Sequence, residues 1–104
     1  MTAVQLYETL RRDHYQYTQG KSPRVLKATC EYIFEQISVI ESLKRFDEST
    51  RVHDIDGMLS WHPPNYWSQK EIGKKYGVYA VTISKRYREI ASLLGIDLSY
   101  SRYI

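Results

Sequence analysis

The chain lacks the residues that would give it covalent or metal staples. It holds one cysteine, Cys30, in 104 residues, which excludes an internal disulfide and any zinc site built from several cysteines. Of its three prolines, Pro63 and Pro64 are adjacent. That pair cannot sit inside a helix, so residues 61–67 read as a loop. No apolar run approaches a membrane-spanning length, and Met1-Thr2-Ala3-Val4 lacks a secretory pattern. The expected location is cytoplasmic, nucleoid-associated in a prokaryote. Internal repeats and low-complexity stretches are absent, and no segment alternates apolar and polar residues convincingly enough to predict a strand. A Gly-rich phosphate loop, a nucleophile elbow and a helix-borne HExxH are missing too. His14, His53 and His62 are scattered without ligand spacing. His53-Asp54-Ile55-Asp56 reads as solvated loop or frayed helix, and Cys30 as a small core residue. The expectation is a protein that is not an enzyme and carries no metal or cofactor.

What remains is an ordinary globular composition, 42% hydrophobic and 26% charged, excluding disorder. The length suits one domain, large enough to bury a core. Ten tyrosines serve equally as core filler or as a binding surface.

The formal net charge of +3 says little until it is placed along the chain. Residues 69–88 hold Lys70, Lys74, Lys75, Lys85, Arg86 and Arg88 against Glu71 alone, a local +5. Residues 31–56 come to −4 and residues 1–30 to +3. A polyanion is attracted to both basic flanks and repelled from the acidic middle.

Apolar spacing predicts helices throughout. Val4, Tyr7, Leu10, Arg11 and His14 suit one helix over 4–17, broken by Gly20-Lys21. Ser22-Pro23 looks like an N-cap followed by proline at the first helical position. Leu26, Thr29, Cys30, Ile33, Ile37 and Ile40 then repeat at three and four to about Leu43, as one long helix or as two joined near Ser38. Val52, Ile55 and Leu59 suit a short helix.

Ser68-Gln69-Lys70-Glu71 fits a capping box ahead of Ile72, Tyr76 and Val78. A second helix follows over 80–94 with Ile83, Tyr87, Ile90, Ala91 and Leu94 inward, and Gly95 placed to end it. Two helices separated by a tight turn at Gly77 make helix-turn-helix arithmetic over 68–94. Gly73 supplies the small residue where the helices touch, and Gly77 the positive φ of the turn. Val78 and Ile83 plug the angle. Ala80, Val81, Ser84, Lys85 and Arg88 then lie on the outer face, the one a recognition helix puts into the major groove. Ser84, Lys85 and Arg88 suit bases or phosphate, Lys70 and Lys74 suit phosphate, and Arg86 points sideways. Ser68 and Thr82 complete the candidate set. Tyr79 stands where such turns usually place a Ser or Thr cap, a loss of about 1 kcal/mol, and can instead contact sugar-phosphate or a base face.

The run Ser68-Gln-Lys-Glu-Ile-Gly-Lys-Lys-Tyr-Gly-Val-Tyr-Ala-Val-Thr-Ile-Ser-Lys-Arg-Tyr-Arg-Glu-Ile90 resembles the end of a cyclin-like repeat of transcription factor IIB. Upstream, Gly20-Lys-Ser-Pro-Arg-Val-Leu-Lys-Ala-Thr-Cys-Glu-Tyr-Ile33 resembles the Ser-Pro…Tyr-Ile helix of the same repeat. The two blocks cover about 37 residues in the family's order. The resemblance implies an all-α, cyclin-like bundle whose last two helices form a DNA-contacting helix-turn-helix. The family has two repeats and a zinc ribbon, whereas this chain has length for one repeat and a single cysteine. Fold and DNA contact therefore carry over, and the role of a general initiation factor does not.

These readings converge on a small transcriptional regulator that binds double-stranded DNA through helix 80–94. A lone helix-turn-helix buries little surface, so a homodimer is expected, formed through the region 31–59. A transcription-machinery protein is a further candidate partner. The competing reading is a protein-interaction module of the same shape, with Trp61, Tyr66, Trp67 and Tyr79 as its contact surface. RNA binding by exposed tyrosines ranks third.

Overall fold

The computed structural model describes residues 2–50 and 67–98. Every regular element among them is a helix: α1 (Ala3–Asp13), α2 (Tyr15–Thr18), α3 (Pro23–Thr50), α4 (Gln69–Tyr76) and α5 (Ala80–Leu93). The sequence reading of residues 51–66, including the 61–67 loop up to Tyr66, and of the end of the tail beyond Leu98 lies outside the described residues.

The first helix departs from expectation in two ways. It stops at Asp13, and the chain turns through His14 (φ −131°, ψ 44°) into the single turn of α2. Its buried side chains are Leu6 and Leu10, four residues apart, while Val4 is 65% exposed. Leu6 and Leu10 bury more apolar surface than the stripe begun at Val4, which ends on the polar Arg11 and His14. At its start, Thr2 and Gln5 form a reciprocal capping box, Gln5 N donating to Thr2 Oγ1 and Thr2 N to Gln5 Oε1.

Proline at the first position of α3 matches the reading of Ser22-Pro23. The helix then continues to Thr50 as one piece of 28 residues, about 42 Å long. No joint occurs at Ser38, whose hydroxyl donates to the Phe34 carbonyl within the helix. Nor does the helix end near Leu43, because residues 44–50 contain neither proline nor glycine.

This long helix is the backbone of the packing. It contacts α1, α4 and α5, and α4 in turn contacts α5. One core cluster joins Leu6 and Leu10 of α1, Leu26, Cys30 and Ile33 of α3, and Ile90 and Ala91 of α5. A smaller one joins Ala28 of α3, Ile72 of α4 and Ile83 of α5, with Tyr32, Tyr76 and Val78 packed around it. Each buried Leu or Ile contributes roughly 1.5–3 kcal/mol. The rings of Tyr32 and Tyr87 meet edge-on at 5.4 Å, tying α5 to α3 a second time. Cys30 is fully buried, and burial pushes its thiol pKa up to about 12. It is a core residue.

Candidate nucleic-acid interface

The two helices α4 and α5 are set by local chemistry at both ends of α4. At the start, Ser68 Oγ accepts from Glu71 N at 3.3 Å, and Glu71 Oε1 accepts from Ser68 N at 3.3 Å and from Ser68 Oγ at 3.0 Å. At the far end Gly77 takes φ 69°, ψ 37°, the left-handed conformation, and Val78 N donates to Gly73 O at 2.9 Å. The chain thus turns sharply without leaving a buried carbonyl unpaired.

Gly73 is the point of closest approach. A Cβ there would stand 2.6 Å from Val78 O, a distance that backbone does not tolerate. With no side chain at 73, the turn lies directly against α4, and Ile72 and Ile83 close over Ala28 beneath it. Helix α5 starts at Ala80 with Tyr79 at the N-cap in extended conformation and making no side-chain cap, as its residue type dictates. It ends in a complete Schellman arrangement, Gly95 N donating to Ser92 O and Ile96 N to Ala91 O. Ile96 and Leu98 then pack back on the core.

The sequence-derived residues divide into three groups. Lys70, Lys74, Tyr79 and Ala80 line one shallow groove over the turn. Val81, Lys85 and Arg88, spaced four and three apart, share the solvent face of α5, and Ser84 flanks them; all four are exposed. Tyr79 is 81% exposed and Val81 59% exposed, unusual for side chains of their type on a small protein. Thr82 and Arg86 lie apart from these, half-buried on the flank of α5 that carries Glu89. Arg86 Nη1 is 3.6 Å from Glu89 Oε1, and Glu89 Oε2 accepts from the Tyr17 hydroxyl. Ser68 is the N-cap of α4 and lies outside the groove lining, its hydroxyl engaged in both directions by the cap.

Not all the positive charge of this segment is available. Lys75 Nζ lies 2.9 Å from Glu31 Oε1 on α3, and that hydrogen bond raises the lysine pKa further. The same ammonium stands 5.5 Å from the centres of the Trp67 and Tyr76 rings. Glu35 Oε2 accepts from Trp67 N at 3.3 Å, holding the entry to α4 against α3. Lys70, Lys74, Lys85 and Arg88 make no ion pair among the described residues. They therefore present four charges to solvent, two on α4 and two on α5.

Sequence reading missed one member of this neighbourhood. Arg24, in the first turn of α3, places a guanidinium nitrogen 3.6 Å from where a Gly77 Cβ would be. It is exposed and belongs to the rim of the turn. Only the tertiary packing of α3 on α4 brings it there, so the local charge count over 69–88 had no access to it.

Among the described residues there is no group of three His, Cys, Asp or Glu side chains that could hold a metal ion, and no helix long and apolar enough to cross a membrane. Compared with protein-family models, curated proteins and solved structures, the chain matches none of them.

Proposed function

We propose that the protein binds double-stranded DNA as a small transcriptional regulator, with the N-terminal half of α5 in the major groove. The observation that carries this reading is the exposed face of α5. Val81, Lys85 and Arg88 project together from a helix whose angle to α4 is set by Gly73 and Gly77, beside unpaired Lys70 and Lys74. Roles follow from chemistry. Arg88, Lys85 and Ser84 donate to base edges or phosphate, and Ala80 and Val81 offer methyl groups to thymine. Lys70 and Lys74 neutralise phosphates and fix the register. Tyr79 lies over the sugar-phosphate backbone. The reading involves no catalytic step and no cofactor, and it includes the cyclin-like likeness of residues 20–33 and 68–90. A homodimer belongs to it as well, since two half-sites supply the specificity that one small module lacks.

The test is fluorescence anisotropy with a labelled mixed-sequence duplex at about 50 and about 200 mM salt, where several phosphate contacts predict a loss of a few orders of magnitude. Replacing Lys85 and Arg88 with Ala weakens binding without lowering the melting temperature, because neither side chain is buried. Unchanged affinity in that double variant removes α5 from the interface, and light scattering that finds only monomer at high concentration removes the dimer.

A second reading is favoured by the exposure of Tyr79, Val81 and Trp67, the last 49% exposed. Aromatic and apolar groups of this kind suit a protein partner. Binding to such a partner depends only weakly on salt, which separates it from DNA contact in the same titration.

A further inference from the structure

We infer that the DNA entering at α5 continues over the N-terminal half of α3 to α1, its phosphates held by Arg24, Lys27 and Arg11. The inference rests on the proposed binding mode and extends its footprint to residues outside the helix-turn-helix. Arg24 already lies at the rim of the Gly77 turn. Lys27 is three residues further along α3, one turn on and about 4.5 Å higher along the helix axis. Its ammonium stands 5.4 Å from the centre of the Tyr7 ring on α1. The Arg11 guanidinium stands 5.8 Å from the centre of that same ring.

Two cations from different helices thus converge on one aromatic ring. Ring attraction offsets part of their mutual repulsion, and an anion between them removes it. None of Arg11, Arg24 and Lys27 has a carboxylate ion-pair partner among the described residues. Arg11 and Lys27 border one groove between α1 and the start of α3, lined also by Tyr7, Tyr15 and Leu26 and by no acidic side chain, and Arg24 stands one turn before Lys27 at the rim of the Gly77 turn. Lys21, also at this groove, is not part of the track. It donates to the Tyr17 carbonyl at 2.7 Å and sits 4.0 Å over the Tyr17 ring. Of the nearby acids, Glu31 is held by Lys75, and Glu8 borders Arg11 in a separate surface depression.

A polyanion fits better than a small anion or an acidic peptide for one geometric reason. The patch joins the face of α4 and α5 through Arg24 at the turn, so one continuous chain of phosphates can reach both.

The experiment compares three proteins on one labelled duplex of about 24 base pairs across a salt series: wild type, Arg11→Gln/Arg24→Gln/Lys27→Gln, and Lys85→Ala/Arg88→Ala. Each lost phosphate contact makes the log-log salt slope shallower by about 0.9. The triple variant is therefore expected to be shallower by nearly three. All three replaced side chains are exposed, so the thermal melt of the triple variant stays that of wild type. A wild-type slope in the triple variant, with binding lost in Lys85→Ala/Arg88→Ala, overturns the track and leaves α5 as the interface. Loss in the triple variant alone overturns the continuity with α5 on which the track depends. No duplex binding by wild type removes both.

Discussion

Replacing Gly73 with Ala is the sharpest perturbation of the α4–α5 pair. The new methyl carbon would stand 2.6 Å from Val78 O and 3.5 Å from Ala80 N. An ordinary contact needs at least 3.4 Å, and both atoms belong to the backbone of the turn, so no side chain can rotate away. The turn must lift by the better part of an ångström, which loosens the Val78 N to Gly73 O bond and the closure of Ile72 and Ile83 over Ala28. Overpacking of this kind costs about 1–3 kcal/mol. Against it stands the gain of about 1 kcal/mol from alanine over glycine within a helix. The balance is a loss of up to about 2 kcal/mol, or up to about 10 °C in the melting temperature of a domain this size. Differential scanning calorimetry measures it, with Gly95→Ala as control. Gly95 has open space around a Cβ and φ 71°, so only its left-handed conformation opposes alanine, at about 1 kcal/mol. Duplex affinity in Gly73→Ala falls even where the protein is fully folded, because α5 is displaced from Lys70 and Lys74. A Gly73→Ala protein more stable than wild type would refute the close approach of turn and helix, and the orientation of α5 with it.

Further substitutions separate structural from contact roles. Ser68→Ala removes the capping box of α4 and lowers stability by about 1 kcal/mol in denaturant titration, while the salt slope of DNA binding stays at the wild-type value. Tyr79→Ser supplies the missing cap of α5 at a residue already in extended conformation. It raises stability by about 0.5–1 kcal/mol and lowers duplex affinity, and unchanged affinity would take Tyr79 out of the interface. The Cys30 thiol has a folded pKa of about 12 against an unfolded value near 9. Its contribution is thus fully present below pH 9 and is lost as pH rises from 9 toward 12, by up to about 1.4 kcal/mol per pH unit. In Cys30→Ala the decline from pH 9 upward is shallower, that of Tyr17 and Tyr76, whose pKa values burial also raises, persisting above pH 10, and the wild-type thiol reacts with a disulfide reagent only as fast as the protein opens.

Helices α4 and α5 were legible because each of their boundaries is a local signal. Ser68 with Glu71, Gly77, and Gly95 each act through neighbours within a few residues, and the structure uses each as its type suggests. The same holds for Pro23 at the start of α3. The misread places lack such a signal. Nothing in the residue types around His14 marks a break, and two apolar stripes compete on α1, of which Leu6 with Leu10 wins by packing on Leu26 and Ile33. At the other end of α3, the apolar repeat fades at about Leu43, yet a helix continues past its apolar stripe in the absence of glycine or proline. Partners were the least legible of all. Glu31 with Lys75 is separated by 44 residues, and Arg24 reaches Gly77 across an even longer stretch, so both wait on tertiary packing.

Those long-range partners decide which cations remain for a ligand. By sequence, residues 69–88 carry six basic side chains that look equivalent. In the fold Glu31 takes Lys75 and Glu89 takes Arg86. Lys75 ties α4 to α3, whereas Arg86 pairs within α5 with Glu89, whose other oxygen accepts from the Tyr17 hydroxyl. The four that make no ion pair among the described residues, Lys70, Lys74, Lys85 and Arg88, border the groove over the turn or the solvent face of α5. Acidic residues thus sort the basic ones by direction, and Arg24 adds a charge to the same rim from a different helix. If Glu31 serves only to clamp α4, Glu31→Gln lowers stability and leaves the salt slope of DNA binding unchanged. If it also sorts charge, the same substitution frees Lys75 and steepens that slope by up to about 0.9. The two effects are read from one protein in one pair of titrations, and the second is expected to be small. Lys75 faces Trp67 and Tyr76 and stays drawn toward their rings when the carboxylate is gone.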